Sequence, residues 1–287
     1  MKLSELLMDI NNPSILIKEA AALQSQSVQN IVDEEIAIFK EGASITVRNS
    51  FPDTSVIPIE NPNHWLKVPD VIACFVDMEG STRLSASSHE KTTANAYRLF
   101  TSTAIKIFHH FGANYIDVKG DGVFALFDKN RPYTALAATV TFKTFVGGEF
   151  TPRVEKQTDL SLGGHFGIDQ KTVLVRKLGL KFYDGRTDRQ NEVWAGKPVN
   201  MAAKLASVSS NNRLWVSDRF FNNITDDRAR YSCGCGDADG VKTALWTEED
   251  VSGDSRFDFD VAYSLGSDWC KTHGKSYCSQ LVALDEA

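Results

Sequence analysis

The sequence of 287 residues has no apolar run of membrane-spanning length, and residues 1–10 lack the basic segment and apolar run of a secretory signal. We therefore expect a cytoplasmic protein. A basic excess is also missing: 31 lysines and arginines stand against 37 acidic residues, which gives a net charge of −6. This balance argues against general nucleic-acid binding, although it leaves room for a local basic pocket.

Cysteine is scarce, and its five copies are an odd number, which does not fit a secreted disulfide framework. Cys74 lies within an apolar run and is expected to be a small buried residue. The other four lie near the C-terminal end, with His273 among them: Cys233, Cys235, Cys270 and Cys278. Two interpretations stay open, a structural zinc site formed by these four cysteines or unliganded buried thiols.

A hydrophobic content of 42% provides a sizeable core, and alternating strand and helix patterns predict an α/β or α+β fold, a sheet with flanking helices. We expect a helical N-terminal extension and connector over residues 1–66, a core domain over 67–225, and a C-terminal extension over 226–287 that completes the domain. The predicted elements are helices at 88–111, capped by Ser88, at 132–146 and after Gly196, and strands at 114–119, 123–127, 160–168 and 213–217. Residues 173–175 are predicted to continue or pair with the strand at 160–168, and 181–192 to form a charged loop.

Two apolar, β-branched runs, residues 71–82 and 115–124, each deliver an aspartate to a glycine-bearing turn. Taken singly, Asp77 or Asp121 needs no metal as an explanation, because aspartate is common in turns, where its side chain hydrogen-bonds to the nearby main chain. Together, two carboxylates on paired strands form a binding site for two divalent cations, Mg²⁺ or Mn²⁺. Residues 80–82 add main-chain amides at a predicted helix start, where a triphosphate can bind. The pattern predicts a nucleoside triphosphate site.

A second group follows Gly196, where a proline marks a helix start and Asn200 and Lys204 stand four residues apart. That spacing places both side chains on one helical face. An amide beside an ammonium can hold a sugar oxygen and a phosphate. An ordinary solvated face would look the same, so both interpretations remain open from the residues alone.

These patterns resemble the class III nucleotidyl cyclases, whose first strand reads Phe-x-Asp-x-x-Gly-Ser/Phe-Thr and whose hairpin carries Gly-Asp-Gly. The matching residues are Phe75, Asp77, Gly80, Ser81, Thr82 and Gly120 to Gly122. The family helix reads Trp-Gly-x-x-Val-Asn-x-Ala-x-Arg; here Val199, Asn200 and Ala202 match, with Lys204 in place of the arginine. The resemblance implies a ferredoxin-like or palm-type sheet.

The resemblance also implies roles for individual residues. Asp77, Met78 and Asp121 would bind the metals, and Phe75 and residues 80–82 would contact the nucleotide. Asn200 would orient the ribose, and Lys204 would stabilise charge at the α-phosphate; Lys242 is a weaker candidate for a phosphate contact. Since the family builds each site from two subunits, a chain with both sets should form a symmetric homodimer. Lysine keeps the charge of the usual arginine but loses its planar fork.

The base-reading positions depart from those of the purine cyclases. Asp117 stands four residues before Asp121, where a lysine or glutamate is usual, and Val193 replaces a polar base reader. A pocket without the usual contacts should lose its preference for a purine. We interpret Tyr115 and Asp117 as base-pocket residues, with plain surface positions on a hairpin strand as the alternative.

A narrower resemblance points the same way. Residues 187–202, Tyr115 and the N-terminal extension resemble the bacterial pyrimidine cyclases of the Pycsar antiphage system. Those enzymes convert UTP or CTP into the 3′,5′-cyclic monophosphate, which a separate effector senses. The alternatives are an adenylate cyclase with an unusual base pocket and a catalytically silent nucleotide-binding dimer. The Gly-Gly-Asp/Glu-Glu-Phe signature of diguanylate cyclases is absent.

Overall fold

The computed structural model of the protein describes residues 28–53, 61–180, 190–210, 212–236 and 239–286. The predictions for residues 1–27, for part of the connector at 54–60 and for most of the charged loop at 181–189 lie outside these ranges. Within them, residues 28–41 form a helix, as predicted for the N-terminal extension. No helix in the described ranges is both long and apolar enough to cross a membrane.

Helices and strands alternate along most of the chain, and the predicted α+β architecture is confirmed. The helices are α1 (28–41), α2 (Ser81–Ser87), α3 (Glu90–His110), α4 (Pro132–Phe145), α5 (Thr151–Thr158), α6 (Lys197–Val208), α7 (Asp218–Phe221), α8 (Asp227–Arg230) and α9 (Gly274–Leu284). The strands are β1 (Ser44–Val47), β2 (His64–Glu79), β3 (Tyr115–Lys119), β4 (Gly122–Phe127), β5 (Gly163–Gly179), β6 (Gln190–Gly196), β7 (Leu214–Ser217), β8 (Trp246–Asp250) and β9 (Val261–Leu265).

The strands described here form a nine-stranded sheet with the order β3-β4-β2-β5-β7-β9-β8. Strand β1 pairs in parallel with the start of β2, and β6 pairs with the end of β5. The β5–β7 pair is also parallel, and the remaining pairs are antiparallel. Because β8 and β9 follow residue 225, the C-terminal segment adds two strands to the same sheet.

Strand β2 is central, and its side chains alternate between two cores. Cys74 and Val76 belong to the larger core, beneath α3 and α4, where Cys74 is buried as expected. Ala73 and Phe75 face the smaller cluster on the other side of the sheet, which α6 covers. Since successive strand residues point to opposite faces, Asp77 lies on the α6 side of the sheet.

Helix α6 packs unusually close to the sheet at Gly167. A Cβ atom there would lie 2.0 Å from the carbonyl oxygen of Ala202, so the close approach requires glycine. Gly167 on β5 is therefore the point at which α6 approaches the sheet most directly.

Several predicted boundaries are wrong. Ser88 does not cap α3: its main-chain N–H closes α2 on Leu84, and His89 occupies the N-cap without a side-chain bond. Strand β5 begins at Gly163 rather than at residue 160, and it runs through residues 173–175, which continue it. Residues 190–192, predicted as loop, belong to β6. Helix α4 ends at Phe145 and passes into a π-helical turn, Val146–Phe150.

Polar contacts, among them those of Asp285 and Lys143, fix the C-terminal segment to α4. Asp285, just after α9, accepts hydrogen bonds from the main-chain N–H groups of Tyr133 and Thr134 at 3.2 and 2.6 Å. These are N–H groups of the first turn of α4, which no helical carbonyl satisfies. Lys143, 1% exposed, donates to the carbonyl of Gly266 at 2.9 Å and to Asp268 at 2.6 Å.

Candidate active site

The structure brings the two predicted metal-binding aspartates together. Asp77 lies near the end of β2, and Asp121 lies in the two-residue turn between β3 and β4. The register of Val76 opposite Val123 places Asp77 beside the start of β4. A Cβ atom on Gly122 would lie 3.2 Å from Asp77 Oδ1, so the glycine leaves space directly beside the carboxylate.

Burial, and then the negative charge of Asp121, raise the pKa of Asp77 to about 6. The charge of His165 and the main-chain N–H of Met78 act in the opposite direction. Two neighbouring carboxylates in a partly buried site repel each other when both are ionised. A cation between them would remove that repulsion.

The residues present fit a hard divalent cation. Asp121 Oδ2 is buried and has no hydrogen-bond partner among the described residues, which is costly for a carboxylate oxygen. Carboxylate oxygens are the ligands that Mg²⁺ and Mn²⁺ prefer. The Met78 side chain is 2% exposed in the larger core, so only its main chain is available to a cation.

His165 is a site residue that the sequence interpretation missed. It lies on β5 directly opposite Asp77 and is partly exposed on the same face of the sheet. Its Nδ1 donates a hydrogen bond to the carbonyl of Ser209 at 2.8 Å, which fixes the orientation of the ring. The other ring nitrogen, Nε2, takes no part in that bond. A lone histidine among three strand glycines was the available signal.

The predicted helix start after Asp77 is confirmed. Gly80 is the N-cap of α2 with φ of 84°, and a Cβ atom there would lie 2.8 Å from Leu162 Cδ2. Both observations require glycine at this position. Ser81 and Thr82 form the first turn of α2, one residue beyond the end of β2.

A cavity of about 310 Å³ lies between the β3–β4 hairpin, β6 and the start of α6. Its lining includes Tyr115, Asp117, Val193, Trp194 and Val199. The Tyr115 and Trp194 rings are 5.1 Å apart between centroids. Tyr115 and Asp117 therefore line a concave site rather than a flat strand surface.

Trp194 contacts a second aromatic ring besides Tyr115. Phe51, from the connector, stacks on Trp194 at 4.8 Å between centroids, a contact that the sequence interpretation missed. Burial, and then the charge of Asp117, raise the pKa of Tyr115, so its hydroxyl is a neutral donor at physiological pH. Asp117 pairs with Lys119 at 3.1 Å. Phe75 packs against Phe124, which also lines the cavity, at 4.3 Å between centroids.

Asn200 and Lys204 project from α6, which begins at Lys197 with Pro198 in its first turn, as predicted. Asn200 is exposed, and Lys204 Nζ donates to the carbonyl of Arg256 at 2.7 Å. In the described part of the chain, neither side chain is hydrogen-bonded or ion-paired to Asp77 or Asp121. Within the described residues, the two groups of predicted site residues therefore make no direct polar contact.

An ion-pair network fixes the start of α6, and it was not predicted. Asp169, fully buried, accepts two hydrogen bonds from Arg219, at 2.7 Å to Nε and 2.6 Å to Nη2. Asp258 pairs with Arg219 at 3.1 Å and with Lys197 at 2.7 Å. Burial opposes it, but the hydrogen bonds from Arg219 and Lys197 lower the pKa of Asp258 to about 2. The C-terminal segment therefore positions α6 through Asp258.

Lys242 is not brought together with this group. It is exposed in the loop before β8, and its positive charge acts on the carboxylate of Asp226. The main-chain N–H of Asp226 donates a hydrogen bond to the Tyr133 hydroxyl. Tyr133 lies in the first turn of α4, over the other face of the sheet.

The predicted cysteine cluster needs one correction. Ligand atoms of four residues lie within 4.8 Å of one another: Cys233, Cys235, Cys270 and His273. Cys278 is not a member. It lies half-buried on α9 beside Thr141, and burial raises the pKa of its thiol. The histidine, three residues after Cys270, occupies the fourth position because its turn directs it back toward that thiol.

Solved structures share this architecture. The adenylyl cyclase CyaB from P. aeruginosa aligns with a TM-score of 0.55 and 16% identity, covering 72% of this chain and 97% of that chain. The guanylyl cyclase Cya2 aligns with a TM-score of 0.55 and 17% identity, covering 69% and 92%. The chain has the fold of the class III nucleotidyl cyclases.

Relatives with higher sequence identity than these structures are named uridylate cyclase. A uridylate cyclase of Propioniciclava tarda is 38% identical over 232 residues, covering 79% of this chain and 73% of the relative. A uridylate cyclase of Micromonospora echinofusca is 33% identical over 236 residues, covering 80% and 74%. No protein-family model matches the chain. The chain belongs to the uridylate cyclase family, which confirms the predicted class of enzyme, a nucleotidyl cyclase.

Proposed function

We propose that this chain is a homodimeric pyrimidine nucleotide cyclase that converts UTP into 3′,5′-cyclic UMP and pyrophosphate, with CTP as the competing substrate. The observation that carries the choice of base is the cavity beside α6, lined by Tyr115, Trp194 and Val193. The names of its relatives point to the same substrate.

The lining of the cavity argues for a pyrimidine. Val193, at the position of the polar base reader of purine cyclases, offers neither a donor nor an acceptor. A purine would leave its ring nitrogens unpaired there, which costs binding free energy. Aromatic rings stack on any base, and the Tyr115 hydroxyl and the Asp117 carboxylate provide one donor and one acceptor for its edge.

The remaining site residues have separate roles in the proposed reaction. We assign Asp77, Asp121 and the main chain of Met78 to metal binding, and the turn at residues 80–82 to the distal phosphates. When bound, a Mg²⁺ or Mn²⁺ pair activates the ribose 3′-hydroxyl and neutralises the departing pyrophosphate. Asn200 orients the ribose, and Lys204 stabilises negative charge at the α-phosphate, both from the partner subunit.

The shared site is supported by the lack of a direct polar contact, among the described residues of one chain, between the aspartates and the side chains of Asn200 and Lys204. The cavity adjoins Val199 at the start of α6, so the base pocket and Asn200 belong to the same half-site. The aspartates form the other half. In a two-fold symmetric dimer, the aspartates of each chain would meet the α6 residues of its partner, which would create two active sites. We also propose, from the resemblance of residues 187–202, that the cyclic nucleotide signals to a separate effector in antiphage defence.

The variant Asp121→Ala tests whether the chain is an enzyme with this site. Turnover of UTP should be lost while the circular dichroism spectrum and elution volume stay unchanged. Asp250→Ala, on the opposite edge strand β8, is the matched control and should keep its activity. Equal activity of both variants would contradict the proposal, and activity of neither the wild type nor the control would favour a nucleotide-binding module.

A further inference from the structure

We propose that Cys233, Cys235, Cys270 and His273 bind a structural zinc ion that joins two loops of the C-terminal segment. The four ligand atoms all lie within 4.8 Å of one another. Cys235 Sγ lies 3.2 Å from Cys233 Sγ and 3.2 Å from Cys270 Sγ, and Cys270 Sγ lies 4.0 Å from His273 Nδ1.

Three thiols and one imidazole are a donor set for zinc. In a tetrahedral site with Zn–S near 2.3 Å and Zn–N near 2.0 Å, neighbouring ligand atoms are separated by about 3.5 to 3.8 Å. The distances observed here bracket that value. Four protein ligands complete the coordination and leave no open position, so the site is structural rather than catalytic. The hard cations of the aspartate site do not favour thiolates.

A disulfide explains the cluster less well. Cys235 is equally close to two thiols, and both separations are well above the S–S bond length of about 2.05 Å. A disulfide would use two of the sulfurs and give no reason for the third thiol and the imidazole to converge. The main-chain N–H of His273 points at Cys270 Sγ at 3.5 Å, which is the support that a metal-bound thiolate receives.

The ligands come from two loops that are distant from each other in sequence. Cys233 and Cys235 lie between α8 and β8, in a loop that folds back so tightly that a Cβ on Gly234 would lie 2.3 Å from the carbonyl oxygen of Gly240. Cys270 and His273 lie between β9 and α9. An apolar cavity of about 160 Å³, lined by residues that include Leu136 and Leu281, lies beneath them. Zinc would fix α9 over this cavity.

Metal analysis of protein purified under reducing conditions tests the site, independently of cyclase activity. We expect about one zinc per chain by elemental mass spectrometry after dialysis against a weak chelator. Cys235→Ser, at an exposed position, and His273→Asn should each lower the zinc content to a small fraction of one. Cys278→Ser is the matched control, with one thiol fewer and the cluster intact, and should retain about one.

Two further measurements distinguish zinc here from zinc at the aspartates and from a disulfide. The double variant Asp77→Asn/Asp121→Asn should keep its zinc, and cobalt(II) should give intense visible bands and thiolate charge-transfer bands that Cys235→Ser loses. Zinc far below one per chain in the wild type, with five titratable thiols, would overturn the proposal. So would an intact mass two hydrogens lower, which identifies a disulfide, or zinc that disappears with the aspartates.

Discussion

At the scale of single residues, the ionised form of the Asp77 carboxyl group is disfavoured in the folded protein. Its pKa rises from 3.8 to about 6 through burial and the charge of Asp121. A carboxyl group whose pKa is raised in the folded state contributes stability below its unfolded pKa, and loses that contribution as the pH rises through the folded pKa. The contribution of Asp77 to stability is therefore lost between pH 3.8 and about 6, and its ionised carboxylate destabilises the metal-free fold at neutral pH.

Asp77→Asn should accordingly stabilise the metal-free protein at pH 7.5 while abolishing activity. A shift of this size corresponds to roughly 2 to 3 kcal/mol in the free energy of unfolding at most. Thermal denaturation in EDTA should show a higher melting temperature for the variant, with a difference that shrinks toward pH 4.5. A variant that melts below the wild type at pH 7.5 would show that the aspartate is a stabilising residue instead.

Lys204 stands where the class III pattern has arginine, and its ammonium donates a hydrogen bond to the Arg256 carbonyl. If it stabilises charge at the α-phosphate, Lys204→Ala should lower kcat on the order of 10² to 10³-fold with a small change in KM. Lys204→Arg keeps the charge and should retain most of the activity. A loss confined to KM, or an equal loss in both variants, would assign the lysine to structure or ground-state binding.

At the scale of elements, the sequence predicted the existence of strands and helices better than their ends. Hydrophobic periodicity identified α3, whose buried residues recur at helical spacing. An apolar run identified the core part of β2, and the glycine-bearing turn at 120–122 identified the β3–β4 hairpin. Ser88 was mistaken for a cap because a serine suits both the end of α2 and the start of α3. The site aspartates were predictable from strand ends, whereas Phe51 and Asp258 were not, because their partners are distant in sequence.

The contact between α6 and β5 at Gly167 should set the position of Asn200 and Lys204. Gly167→Ala would force the helix away from the strand, since the new Cβ would lie 2.0 Å from the Ala202 carbonyl oxygen. We expect a loss of about 1 to 3 kcal/mol in the free energy of unfolding and a drop in kcat. Gly148→Ala, whose Cβ would meet no atom within 4 Å, is the control for denaturant unfolding and activity. Equal stability and activity of the two variants would mean that α6 adapts freely.

At the scale of the whole molecule, the account requires two chains for one active site. Asp121→Ala removes the metal half-site and Lys204→Ala removes the phosphate half-site, so each variant alone should be inactive or nearly so. A mixture that exchanges subunits should regain up to about a quarter of the wild-type activity, because half the dimers are mixed and each has one intact site. A mixture as inactive as its components, despite confirmed exchange, would place the whole site within one chain.

The most direct measurement of the central claim is a product assay with each ribonucleoside triphosphate. Purified protein is incubated with Mn²⁺ and with ATP, GTP, CTP or UTP separately, and the cyclic products are resolved by mass. The cavity lined by Tyr115, Trp194 and Val193 predicts a cyclic pyrimidine nucleotide as the dominant product, and the proposed function specifies cyclic UMP ahead of cyclic CMP. Dominant cyclic AMP or cyclic GMP would contradict the proposed base pocket while leaving the fold and the metal site in place.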